Sequence, residues 1–187
     1  AFIAGEWFMA DTQNVQSESD PQAQKRLQNL FNKGFSAFER GNLDMAIDLL
    51  YTCVEQSPGF IRARKFLRSA SMQRFAKNKP GAIARKLAEL TALPLFIKTG
   101  LLFKSGKFDP ALLAAERLIE KAPMCDRYVC LAADCAVAAG QMEAAIMYLE
   151  TAMQVDMQNA TILLALANTY RTGEQWAKAR EVLNVLV

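Results

Sequence analysis

The sequence predicts an all-α fold of stacked helical hairpins, and three observations lead to it. Ala and Leu dominate from Ala82 onward, β-branched runs are scarce, and only 9 Gly and 6 Pro interrupt 187 residues. That composition favours helices. About half of the residues are apolar, enough for one domain or one elongated array to bury a core. A repeat also runs through the chain, with a 34-residue step across its last three copies and 65 residues, three short of two steps, between Gly41 and Gly106, and such a step is the mark of an array rather than of a plain bundle.

Three stretches carry the repeat: GNLDMAIDLLYTCVEQSP at 41–58, GKFDPALLAAERLIEKAP at 106–123 and GQMEAAIMYLETAMQVDM at 140–157. Each begins with Gly and has Ala five places on, at Ala46, Ala111 and Ala145. Leu50, Ala115 and Leu149 follow four places later. A fourth copy, YRTGEQWAKAREVLNVLV at 170–187, puts Ala179 and Leu183 34 residues after Ala145 and Leu149, but its Gly173 arrives one place early. Upstream of the copies, helical runs hold a small residue at Gly34, Ala133 and Ala167.

Each copy reads as two antiparallel helices. Small side chains let the helices approach, and the pairs predicted are Gly34 with Ala46, Ala133 with Ala145, and Ala167 with Ala179. Gly41, Gly106 and Gly140 close the turns because Gly tolerates positive φ. Pro58 and Pro123 stop the second helices.

Together these residues resemble the tetratricopeptide repeat (TPR) family over roughly residues 24 to 187. The resemblance implies a right-handed TPR-like helical-hairpin solenoid of about four to five repeats. The segments expected are 24–58, 59–92, 93–125, 126–158 and 159–187. The second is degenerate: its first helix, about 59–77, is periodic, but AKNKPGA lacks the Gly-to-Ala spacing and its second helix, about 82–92, is short. Thr99 stands where the third repeat should be small.

Residues 1–23 are expected to be an N-terminal tail, with a polar linker at 17–24. One allowed codon spelling of AGEWFM, residues 4–9, contains a bacterial ribosome-binding sequence. Residues 1–8 are therefore expected to be translated leader before Met9; the rival is an apolar segment in which Phe2, Trp7 and Phe8 dock. At the other end the last repeat looks uncapped. That leaves either a fragment or a terminal face, Leu183 and Leu186, that pairs with another copy.

Histidine is absent, which removes the commonest general base and metal ligand. No phosphate loop, dinucleotide fingerprint or nucleophile elbow is present. No enzyme, metal or cofactor is expected. Cys125, Cys130 and Cys135 are five residues apart, so successive thiols are turned by roughly 140° on a helix and cannot share a face. With Cys53 they read as buried reduced thiols of a cytoplasmic protein.

The resemblance implies a concave groove lined by the first helices. It would present Phe31, Asn32, Phe35 and Phe38, then Arg62, Lys65, Phe66 and Met72, then Phe96, Ile97, Phe103 and Lys104. A Phe-rich floor edged by cations suits an apolar protein segment with acidic flanks; the alternative is that these rings fill the core. The Lys/Asn carboxylate clamp of chaperone-binding members is not expected, because its places hold Phe31, Phe35, Lys65 and Ser69.

Charge is segregated. Residues 56–108 carry 12 basic side chains and one acid, Glu89, against a net −4 on each flank. Arg64, Arg68, Arg74, Lys77, Lys79, Arg85 and Lys86 form a basic patch. Its repulsion calls for an anionic partner or for the chain's own acidic flanks. The expected function is a protein-interaction adaptor; the alternative is binding of nucleic acid or anionic lipid through the basic repeat. Self-association through the uncapped end is a third possibility.

Overall fold

The computed structural model describes residues 21–78 and 81–185. The proposed leader, Lys79 and Leu186 lie outside them. Helices run in the order α1 Pro21–Glu39, α2 Leu43–Gln56, α3 Ile61–Asn78, α4 Ala82–Lys104, α5 Phe108–Lys121, α6 Asp126–Ala138, α7 Met142–Met153, α8 Ala160–Thr172 and α9 Trp176–Asn184. Among the described residues there is no strand.

Hairpins form where the repeat puts them. α1 packs on α2, α4 on α5, α6 on α7 and α8 on α9. Gly41, Gly106 and Gly140 each take φ of +74° at the turn. The position 34 residues after Gly140 is Glu174, and it too is left-handed, with φ of 59°. The early glycine of the last copy thus leaves a non-glycine residue in the turn. Beside Gly34 the neighbour is Leu50: a Cβ on Gly34 would stand 3.0 Å from its Cγ. Asn42 and Asn159 cap α2 and α8 by accepting from the amides of Met45 and Ile162.

The expected start and the second repeat need correction. α1 begins at Pro21, inside the stretch read as linker. The short helix at 82–92 and the repeat boundary at 92/93 do not exist. α4 runs unbroken for 23 residues with Pro94 inside it. A proline removes one amide and crowds one carbonyl; Pro94 is exposed, and Ala92 and Thr99 on the packed side hold the helix against α5 and α6. Thr99 is fully buried, and its hydroxyl donates to the Leu95 carbonyl, which satisfies it without a partner helix.

α3 and α4 do not pair as a hairpin. α3 packs on α2 and turns its other side to α5 and α7. Two cores result. One joins α1, α2 and α3 around Ile47, Leu50, Val54 and Leu67. The other runs through α4–α9 around Leu112, Leu118, Tyr148, Leu149, Leu163 and Leu166.

Polar groups fill much of the junction. Arg64 and Arg68 of α3 are buried, as are Glu116 of α5 and Tyr148 of α7. Arg64 Nε lies 3.3 Å from Glu116 Oε1, and the Tyr148 hydroxyl donates to the same oxygen. Arg68 donates to the Pro123 carbonyl at 3.0 Å. Arg74 reaches Asp44 and Glu120, each at 3.2 Å. Tyr51 of α2 donates to the Leu113 carbonyl, and Arg117 lies over its ring.

Candidate protein-interaction site

Phe31, Phe35 and Phe38 recur at helical spacing, so they share one stripe of α1 and face α3. Phe66 of α3 meets all three, with ring centroids 5.9, 4.8 and 5.6 Å away. Phe60 joins Phe31 from below at 5.0 Å. Edge-on and tilted rings at these separations attract beyond their burial. Depth divides the set. Phe31 is only 3% exposed and Phe60 8%, so they are core. Phe35, Phe38 and Phe66 are half-buried. Exposed Arg62 places its guanidinium 5.3 Å from the Phe31 centroid, a cation held over an aromatic face.

The rest of the expected groove lies elsewhere. Phe96 is half-buried against Tyr128, 5.2 Å away, and Phe103 against Phe108, 5.8 Å away. Both belong to the core of α4–α9. The resemblance implied one groove for all eight contact residues, whereas the structure divides the six Phe side chains between two cores, because α3 leaves α4 to pack on α5 and α7. Lys65 turns to α7, where its ammonium meets Glu143 at 3.0 Å.

The basic patch is likewise divided. Arg64 and Arg68 are 0% and 2% exposed, so a polyanion cannot reach them; the acidic flank of the chain itself meets Arg64 through Glu116, and Arg68 donates to the Pro123 carbonyl. Burial lowers Arg68 to about 10. Burial raises the Glu116 carboxyl against the opposing pull of Arg64, Tyr148 and Arg68. Arg74 is engaged by two carboxylates. Lys77, Arg85 and Lys86 remain exposed. Arg85 and Lys86 border a cleft of about 150 Å³ with Phe75, Glu89 and Met124, smaller than the usual pocket of a drug-sized ligand.

Glu116 and Tyr148 carry the junction, and sequence reasoning missed both. The signal was on α3: Arg64, Arg68 and Ser71 each follow one place after, or stand beside, the apolar positions Ala63, Leu67 and Ala70. That doubles the arc a one-sided helix would bury.

The four cysteines are unpaired thiols. Burial pushes Cys53 and Cys130 up to about 11 and Cys135 up to about 12. Among the described residues no helix is long and apolar enough to cross a membrane.

Stacked helical hairpins joined by left-handed turns define a helical-repeat fold. Residues 136–187 match the family model described as tetratricopeptide repeat. Over these residues, from the end of α6 through α9, the chain carries the tetratricopeptide-repeat pattern. No curated protein matches it. Among solved structures it is similar to the MamA RS-1 ArsTM double mutant at 16% identity, over 89% of this chain and 93% of that one, with a TM-score of 0.45. It is also similar to the TPR2AB-domain:pHSP90-complex of yeast Sti1 at 18% identity, over 88% and 78%, with a TM-score of 0.46. A third is Pseudomonas aeruginosa pilF, at 17% identity, over 88% and 77%, with a TM-score of 0.39.

Proposed function

We propose that this protein is an adaptor whose α1–α3 face binds a protein segment with apolar anchors and acidic flanks. One observation carries the reading: Phe35, Phe38 and Phe66 form a single half-exposed aromatic surface bordered by exposed Arg62. Rigid rings lose little freedom on binding and bury a large area, which is why aromatic residues and Arg dominate interaction hot spots. A carboxylate beside the anchor would find Arg62. Binding of nucleic acid or anionic lipid has weaker support, since Arg64 and Arg68 point inward and Arg74 is paired. Four unpaired thiols suit a reducing compartment such as the cytoplasm.

Panning a random-peptide library on the whole protein tests the proposal. Recovered peptides should share aromatic or long aliphatic anchors next to Asp or Glu. Phe38→Ala and Arg62→Glu should each weaken them by about tenfold or more. The melting temperature of Arg62→Glu should stay at the parent value, because the side chain is exposed. Peptides that bind the double variant as tightly as the parent would overturn the assignment.

A further inference from the structure

α4 is apolar on two sides. Ala92, Leu95, Phe96, Thr99, Leu102 and Phe103 pack against α5 and α6. On the other side Ile83, Leu87, Leu90, Ile97 and Leu101 stand in solvent, with exposures from 54% to 86%. With Pro94 their spacing is four, three, four, three, four. That is the seam of a heptad, the pattern by which one helix receives another. In a hairpin array this side of a first helix is covered by the preceding hairpin. Here α3 has gone to α5 and α7, and no described helix covers the seam.

We propose that this seam is a second docking surface and that its occupant is an amphipathic α-helix with acidic flanks, supplied by another protein. Charge selects the occupant. In heptad register the two positions bordering the seam hold Lys86 and Lys98 beside Ala84, Thr91, Leu93 and Gly100, with no acid among them. Glu89, the single acid of α4, lines the cleft with Arg85 and Lys86 and falls outside the two bordering positions. Flanking charges set partner choice in helix pairs. A second copy of α4 would meet these lysines with lysines or neutral residues in either orientation, so α4 is a poor partner for its own copy. A membrane surface prefers a broad apolar face, and this one is a two-position seam widened by Leu93 and edged by Lys86 and Lys98. The surface is distinct from the aromatic face of α1–α3, and its occupancy does not depend on that face.

The probe is a synthetic three-heptad peptide with Leu at its seam positions and Glu at its flanks, read by fluorescence anisotropy on the full chain. A Lys-flanked peptide with the same seam is the control. The Glu-flanked peptide should bind, more weakly as NaCl rises from about 50 to about 500 mM, and the Lys-flanked one should not. Leu90→Lys and Ile97→Lys should each cost about tenfold or more with melting temperature unchanged, since both side chains are exposed. The double exchange Lys86→Glu, Lys98→Glu should reverse the preference between the peptides. Phe38→Ala and Arg62→Glu should leave binding intact, which separates this surface from the aromatic one. Equal binding of both peptides would overturn the proposal. So would a dimer dissolved by Leu90→Lys, binding that appears only after removal of residues 1–20, or capture by phosphatidylserine vesicles without capture of the peptide.

Discussion

Glu116 pairs with the buried guanidinium of Arg64, Arg68 is buried one turn further along α3, and the charges there do not balance. Arg64 offers three nitrogens and Arg68 two that are buried without a hydrogen-bond acceptor among the described residues. Removing the carboxylate leaves two uncompensated cations, and breaking a buried pair in this way costs about 3–5 kcal/mol. Glu116→Gln should therefore lower the unfolding free energy in urea by that order. Arg64→Met should cost far less, within about 1 kcal/mol or in the stabilising direction, because it leaves Arg68 and Glu116 one to one and exchanges unsatisfied donors for an apolar side chain. The thiols give a pH prediction. Cys53, Cys130 and Cys135 are raised from 9.0 to about 11, 11 and 12 by burial. The folded state holds their protons when the unfolded chain has released them, so this stability is complete below pH 9 and is lost between about 9 and 12. Urea melts at pH 8, 9 and 10 should show a falling midpoint that Cys135→Ala makes less steep. A midpoint flat across that range would contradict the burial.

At the scale of the element, the hairpin turns decide where helices end. Three use Gly at positive φ, and the fourth uses Glu174. A left-handed residue with a Cβ costs about 1–2 kcal/mol, partly offset because Gly loses more backbone freedom on folding. Glu174→Gly should stabilise the protein by about 0.5–1 kcal/mol, and Gly140→Ala should destabilise it by about 1 kcal/mol. Differential scanning calorimetry reads both; a drop in melting temperature for Glu174→Gly would mean the turn relaxes some other way. These turns were legible in the sequence because left-handed backbone is a local demand. Even the exception was visible, as the glycine one place early. The unbroken α4 was not legible. Pro94 looks like a boundary when read locally, and packing of Ala92, Phe96 and Thr99 on α5 and α6 carries the helix through it.

For the whole molecule the consequence is two cores that meet across a junction holding buried charge. α1–α3 and α4–α9 each bury their own apolar cluster. The junction adds Arg64, Arg68 and Glu116 to a modest set of apolar contacts through Ile61 and Leu113. Units with separate cores open separately. Hydrogen exchange read by mass spectrometry should give α2 one opening free energy and α7 another, and Glu116→Gln should speed exchange in α1–α3 more than in α6–α8. A single value shared by α2 and α7 in both proteins would show one cooperative unit.

The candidate site was legible in part. The stripe Phe31, Phe35 and Phe38 and its match with Phe66 follow from helical spacing. Which rings sink and which stay at the surface depends on Phe60, which closes over Phe31 from the loop before α3. Segregated charge announced that the central segment needs anions; that Glu116 supplies one from within depends on residues 52 positions apart meeting in space.

The sequence by itself determined four of the hairpins and the turns that close them, because those depend on residues a few places apart and on what a backbone without Cβ can adopt. Tertiary structure alone decided where α3 goes. It chose the side of α5 and α7 over α4, and that choice buried two arginines, divided the expected groove and left the seam of α4 in water. No local rule reaches it, since it turns on which of two distant surfaces offers the better fit.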